Sequence, residues 1–255
     1  MKKIFSILLV AVIVLSSCKK GENDKMSLKS RKGRLTGEWK LKSGEVTSKE
    51  NSLYFQDSKN HDKTTVSKMD GAMLTETVTQ PLFDGTNTYK KDTTITTTST
   101  YSETLTIEKD GTYKKVTNEV KTTVTPAGSY STTTTETTDK TEEGVWFWVD
   151  GNKELETKDK EGAAFQPTSK ISQTVTSTTS TIPGYTPPAA STTTTTYTFT
   201  GIDNDSDIMY FDKLAGKEMV ILYDNAYTFT STTTGAANAF TGSGSTTGTV
   251  TYTQE

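Results

Sequence analysis

Ile95-Thr96-Thr97-Thr98-Ser99-Thr100-Tyr101-Ser102-Glu103-Thr104-Leu105-Thr106-Ile107 decides the fold. The odd positions, Ile95, Thr97, Ser99, Tyr101, Glu103, Leu105 and Ile107, share one face, and the apolar groups concentrate toward its far end. A period of two marks a strand with one half-buried face, because successive side chains leave a pleated backbone on opposite sides. Lys109-Asp110-Gly111 follows, and Asp-Gly supplies the positive φ that a tight reversal needs. Val116, Val120 and Val124 continue the pattern, which returns in Ile171 with Val175, Tyr197 with Phe199, Tyr227 with Phe229 and Val250 with Tyr252. Further reversals are signalled at Pro126-Ala127-Gly128, Asp150-Gly151-Asn152, Ile182-Pro183-Gly184 and Ala215-Gly216. Strands joined by short turns predict an all-β, antiparallel, up-and-down meander. No stretch beyond the N-terminal segment has the period of an amphipathic helix.

Composition agrees. Threonine supplies 55 of the 255 residues, while only 31% are hydrophobic, against the ~45–50% usual for globular chains. Threonine is β-branched and fits a pleated surface, so a mainly helical protein is excluded. With 28 Lys and Arg against 31 Asp and Glu, the chain has no positive excess to release counterions from phosphate, which excludes a strongly basic nucleic-acid binder. The threonine is also unevenly placed. In 88–108 the threonine-rich half comes first, in 112–125 it comes second, and in 129–149 it comes first again, ahead of Val145-Trp146-Phe147-Trp148-Val149. If the strands alternate up and down, their apolar halves gather at one end and their threonine halves at the other. The prediction is a barrel or sandwich with one packed end, from which threonine-coated hairpins extend. Trp146 and Trp148 share one face of their strand and Val145, Phe147 and Val149 the other, which predicts cover on both sides. The strand order of 203–223 stays open.

At the N-terminus, Lys2 and Lys3 precede the apolar run Ile4 to Leu15, then Ser16, Ser17 and Cys18. Charged residues, a short apolar core and small residues follow the order of a secretion signal. The run spans about 18 Å of a ~30 Å hydrocarbon layer, too little for a crossing helix. Leu15-Ser16-Ser17-Cys18 resembles a bacterial lipobox. The resemblance implies a signal peptide at 1–17 and cleavage before a lipidated Cys18. Residues 18–33 are then the lipidated cysteine and a polar tether, and 34–255 a single domain. Several acyl chains give stable membrane anchoring where one does not. Cys18 is the only cysteine, so the mature domain has no disulfide, thiolate nucleophile or cysteine-bound metal. Lys19, in place of aspartate, argues against retention at the inner membrane. Glu22 and Asp24 resemble the export signal of Bacteroidota surface lipoproteins. The expected location is the outer membrane, with surface and periplasmic orientations both open.

Leu35-Thr36-Gly37-Glu38-Trp39-Lys40-Leu41 contains a Gly-x-Trp that resembles the lipocalin signature. The later segments 105–113, 144–148 and 214–222 are spaced as in the lipocalin-like lipoproteins of Bacteroidota. That resemblance implies an eight-stranded up-and-down barrel, a tryptophan closing one end, and a cup for a small apolar or amphipathic ligand. Two features depart from it. Arg31 and Arg34 are the only arginines, and both precede Trp39, leaving no candidate for the arginine that lipocalins stack over it; the threonine-rich segments also lengthen the strands.

Trp39, Trp146 and Trp148 are the pocket candidates, since aromatics dominate ligand cavities; a large apolar side chain in a barrel is more commonly core. Asp92-Thr93-Thr94 resembles the O-glycosylation signal of exported Bacteroidota proteins, making Thr93 a candidate sugar site. Asp203-Asn204-Asp205-Ser206-Asp207 alternates oxygens like a calcium loop, yet lacks glycine at its sixth position and has Leu214 at its twelfth. It reads as a solvated turn, and no metal site is assigned. His61 is the only histidine, too few for a usual zinc set, and no acid/base constellation or cofactor motif is present. A non-enzymatic, lipid-anchored binding protein is the expectation. The alternative is a structural or adhesive surface module, contacting glycan or protein through its threonine-rich hairpins.

Overall fold

The computed structural model describes residues 31–54, 59–150, 161–198, 207–232 and 239–254. A short helix, α1 (Arg31–Leu35), precedes β1 (Gly37–Tyr54), β2 (Lys59–Asp70), β3 (Met73–Phe83), β4 (Tyr89–Ile107), β5 (Thr112–Ala127) and β6 (Tyr130–Asp150). Then come β7 (Glu161–Ser180), β8 (Ser191–Thr198), β9 (Asp207–Ala215), β10 (Glu218–Thr232) and β11 (Ala239–Thr253). The stretch 1–17 read as a signal peptide, Cys18 and most of the expected tether lie outside the described residues. Among the described residues no helix is long and apolar enough to cross a membrane.

The strands form one antiparallel sheet in the order β6-β5-β4-β3-β2-β1-β11-β10-β9-β7-β8, closed into a ring by β6–β7 and β4–β1. At one end Gly37–Lys40 of β1 pair directly with Thr104–Ile107 of β4. The ring there runs β1-β4-β5-β6-β7-β9-β10-β11, eight strands, although the sheet as a whole has eleven. Further along, the β2–β3 hairpin wedges into this seam: Lys42 O accepts from Gly71 N at 3.0 Å, and Ala72 O accepts from Tyr101 N at 2.8 Å.

The ring opens along two other seams. Pairing of β4 with β5 stops at Ser99 and Lys121. β7 holds β9 only over Glu161–Phe165, and over Ser169–Thr176 it takes β8 instead. Two arms result, β5-β6-β7-β8 and β10-β11-β1-β2-β3-β4. At ~3.3 Å per residue, the 21 residues of β6 reach roughly 70 Å. The expected segregation holds: the buried core is Leu35, Trp39, Leu105, Ile107, Tyr113, Trp146, Phe165, Phe211, Leu214, Met219, Ile221, Val250, Tyr252 and their neighbours, at the closed end. The arms instead carry cross-strand hydroxyl pairs, Thr79 with Thr94 at 3.0 Å, Thr77 with Thr96 at 3.3 Å and Thr138 with Thr174 at 3.1 Å. Each such pair adds about 0.2–1 kcal/mol.

The turns at the closed end are specified locally. At 109–111 the carboxylate of Asp110 accepts from Thr112 N and Oγ1, and Gly111 takes φ 98°, a conformation glycine adopts without strain. Trp146 clamps this turn, its backbone N–H donating to Gly111 O and its indole to Glu108 O. Opposite, a bulge in β7 falls at Thr168, between the pairs Glu143–Ser169 and Gly144–Pro167. Gly144 is required beside it, since a Cβ there would overlap the carbonyl oxygen of Gln166.

Three expectations are corrected. Val116 and Val124 are 40% and 59% exposed; Tyr113, Lys115, Thr117 and Glu119 face inward in their place, because β5 pairs residue 113 with Ile107 and 117 with Glu103. The 145–149 strand is covered on one side only, with Val145 and Phe147 open to solvent, because β6 is part of a single-layered ring wall. The stretch 18–33, expected as a tether, also overlaps α1 at its end. Residues 31–35 are helical, and Leu35 at its end is fully buried.

Candidate functional site

The three tryptophans sit in or against the packed floor. Trp39 is fully buried, and its indole N–H donates to Leu35 O at 2.7 Å. Trp146 is buried and meets Trp148 edge to face at 6.0 Å, and Trp148 meets Phe211 the same way. None of the three lines the cavity above them.

That cavity, of about 650 Å³, lies where the closed ring begins to open, and its volume falls within the 300–1,000 Å³ of small-molecule sites. Part of its lining is apolar: Leu41 and Val46 from β1, Met69 from β2, Leu74 from β3, Met209 from β9 and Val250 from β11. Ile208 adds to it, and the polar share comes from Ser67, Glu76, Glu103, Glu119 and Asp207, Lys115 and Lys140, and Tyr101, Tyr223 and Tyr252. Glu103 is held from both sides: Tyr252 donates to Oε1 at 2.6 Å and Tyr101 to Oε2 at 2.8 Å. Glu119 accepts from Ser99 Oγ at 2.9 Å. Beside the cup, buried Glu142 accepts from Tyr113 at 2.6 Å and lies 3.3 Å from Lys170 and 3.8 Å from Lys115. That arrangement places its charge among donors, as a buried carboxylate needs.

Burial raises the phenols of Tyr101, Tyr223 and Tyr252 well above the ordinary tyrosine range, and the Glu103 carboxylate beside them raises them further. Tyr113 is raised by burial and then by Glu142. The fold therefore holds these phenols protonated. Their contribution to stability is complete below the unfolded tyrosine pKa of about 10 and is lost as pH rises toward the folded values. In a spectrophotometric titration, these four phenols should stay silent while exposed tyrosines ionise, and then titrate together with the loss of tryptophan anisotropy. Ionisation of all 11 tyrosines in a single phase near pH 10 would contradict the arrangement.

The other sequence candidates are scattered. Thr93 is half-buried on β4 opposite Gln80, in the stretch where β4 has a strand partner on one side only among the described residues. His61 joins Tyr54, Phe83 and Tyr89 in an aromatic cluster at the tip of the six-stranded arm, stacked on Tyr89 at 4.8 Å. Asp203 to Ser206 lie outside the described residues, and among the described residues no group of three His, Cys, Asp or Glu is placed to hold a metal. Arg34 lies at the closed end, donating to Leu214 O at 3.2 Å and to both oxygens of Glu161 at 2.8 Å.

Neither clustered aromatics nor adjacent carboxylates mark the cup residues in the sequence. The usable signal was register: Tyr101 and Glu103 occupy the same face as Leu105 and Ile107, so polar side chains enter the interior where the apolar run stops. In comparisons with known proteins, no family model, no curated protein and no solved structure matches this chain.

Proposed function

We propose that this chain is a lipocalin-like binding protein, anchored at the outer membrane by lipid on Cys18, whose cup takes a small amphipathic molecule. The observation that carries the proposal is the mixed lining of the cavity, with Leu41, Val46, Met69 and Val250 on some strands and Glu103 with its tyrosines on others. The eight-stranded ring at the closed end and the buried Trp39 at the start of β1 support the lipocalin comparison. Binding, with no chemistry on the ligand, is the activity assigned.

The test is titration of the full-length protein with Nile red, a neutral amphipathic dye. Wild type should bind about one dye per chain with enhanced emission. Val46→Trp, which fills the cup from a half-buried position, should lower the affinity about tenfold or more while leaving the circular dichroism spectrum unchanged. Failure of wild type to bind, or equal binding by the variant, would overturn the proposal.

An adhesive role is favoured by a separate observation: both arms carry aromatic rings at their tips, with Tyr89 exposed on one and Tyr130 and Tyr185 on the other. The Tyr54, His61, Phe83 and Tyr89 cluster marks one tip, and Tyr130 and Tyr185, 46% and 45% exposed, mark the other. Such rings present flat apolar faces with polar edges. On that hypothesis, deleting the 126–130 and 183–190 tips abolishes retention on a glycan array while Nile red binding persists.

A further inference from the structure

We infer that the cup selects a positively charged headgroup, so that its ligand class is an alkylammonium-type amphiphile with Glu103 as counter-ion. The inference rests on the cup being a ligand site, and adds the sign of the ligand's charge.

The lining holds four carboxylates, Glu76, Glu103, Glu119 and Asp207, against two lysines, Lys115 and Lys140. Lys115 is already 3.8 Å from Glu142, which lies outside the lining. Among the described residues, Glu76, Glu103 and Glu119 take hydroxyl donors but enter no ion pair. A carboxylate offers about four acceptor positions. At Glu103 one position on each oxygen is used by a tyrosine, leaving the others for N–H donors of a guest.

The tyrosines fix the carboxylate's orientation before any ligand arrives, so its ordering costs little on binding. They also add aromatic rings to the lining, and ring faces attract cations. In a partly desolvated cup, a charge-assisted bond is about twice as strong as a neutral one, whereas a carboxylate headgroup would meet four lining carboxylates against two lysines, of which Lys115 already faces Glu142. The apolar lining of Leu41, Val46, Met69 and Val250 takes the alkyl chain equally well for any headgroup. Selection therefore falls on the head.

The test uses three probes sharing one chain, octylammonium, octanol and octanoate, each competing with Nile red on the full-length protein at low ionic strength and neutral pH. Octylammonium should displace the dye at a concentration about tenfold below octanol, with octanoate weakest. Glu103→Gln should reduce the ammonium-over-alcohol preference about tenfold, and Glu119→Gln should reduce it by less. Glu143→Gln, which removes a half-exposed charge on the outer face, should leave the preference intact.

Octanoate matching octylammonium, a preference unchanged in both cup variants, or an equal loss in Glu143→Gln would each overturn the charge selection while leaving the cup as a binding site. Failure of both dye and octanol to bind would remove the cup proposal, and this inference with it.

Discussion

Replacing Arg34 by methionine should lower the unfolding free energy by about 3–5 kcal/mol, read from urea denaturation followed by tryptophan emission. The guanidinium grips both oxygens of Glu161 at 2.8 Å, and the two side chains are only 10% and 4% exposed. Removing the cation leaves a carboxylate in a site chosen to exclude water, where desolvation far exceeds what weak solvation can restore. The loss also removes one tie between α1 and β9, because the same guanidinium donates to Leu214 O. The double variant Arg34→Met with Glu161→Met should recover most of the stability, since two apolar groups of similar volume replace a buried pair at little net cost. If the single variant were as stable as wild type, the bridge would be ornamental and the closed end would be held by apolar packing alone.

Trp39→Ala should cost a comparable 3–5 kcal/mol, measured by guanidinium unfolding with far-ultraviolet circular dichroism as the probe. Trp39 is fully buried and lies in the short stretch where β1 and β4 pair to complete the ring. Its loss opens a cavity that the rigid eight-stranded seam cannot collapse around, and it removes the 2.7 Å bond that ties the end of α1 to β1. Trp39→Phe separates these effects: most of the packing remains and the hydrogen bond goes, for about 1 kcal/mol from that bond. Equal losses in the two variants would mean that the bond, and not the ring volume, carries the site.

The closed end was legible in the sequence because its signals reinforce each other. Leu105, Ile107 and Tyr113 flank an Asp-Gly turn at the period of a strand, and the structure buries all three. The turns at Gly128, Gly184 and Gly216 were legible for the same reason, each glycine taking a positive φ. What a sequence does not expose is which face of a strand meets the interior. A β-branched side chain suits either face of a pleated surface, so Val116 and Val124 look like core and are solvent-exposed. In β7 the extra residue Thr168 reverses the inward parity: Phe165 and Ala163 are buried below it, while Ile171 above it is 44% exposed. Such a bulge depends on the partner strand, and no local pattern announces it. The β8 excursion was invisible for a related reason. β7 changes partners partway along its length, a choice made between distant segments. Of the cup, the sequence carried the strands but not their convergence, so the tryptophans drew attention while Glu103 and its tyrosines did not.

The hydroxyl coat of the four-stranded arm has a consequence for where such a protein can work. In the segments 122–127, 130–138, 172–180 and 191–198, Glu136 is the only charged side chain. Cohesion there comes from backbone ladders and neutral side-chain pairs, and ion pairs play almost no part. Dissolved salt therefore has little to screen, and mild acidification has little to protonate. Fresh water, brine and an acid microenvironment should leave this projection with much the same shape, while recognition that depends on charge falls to the rest of the molecule, the cup included.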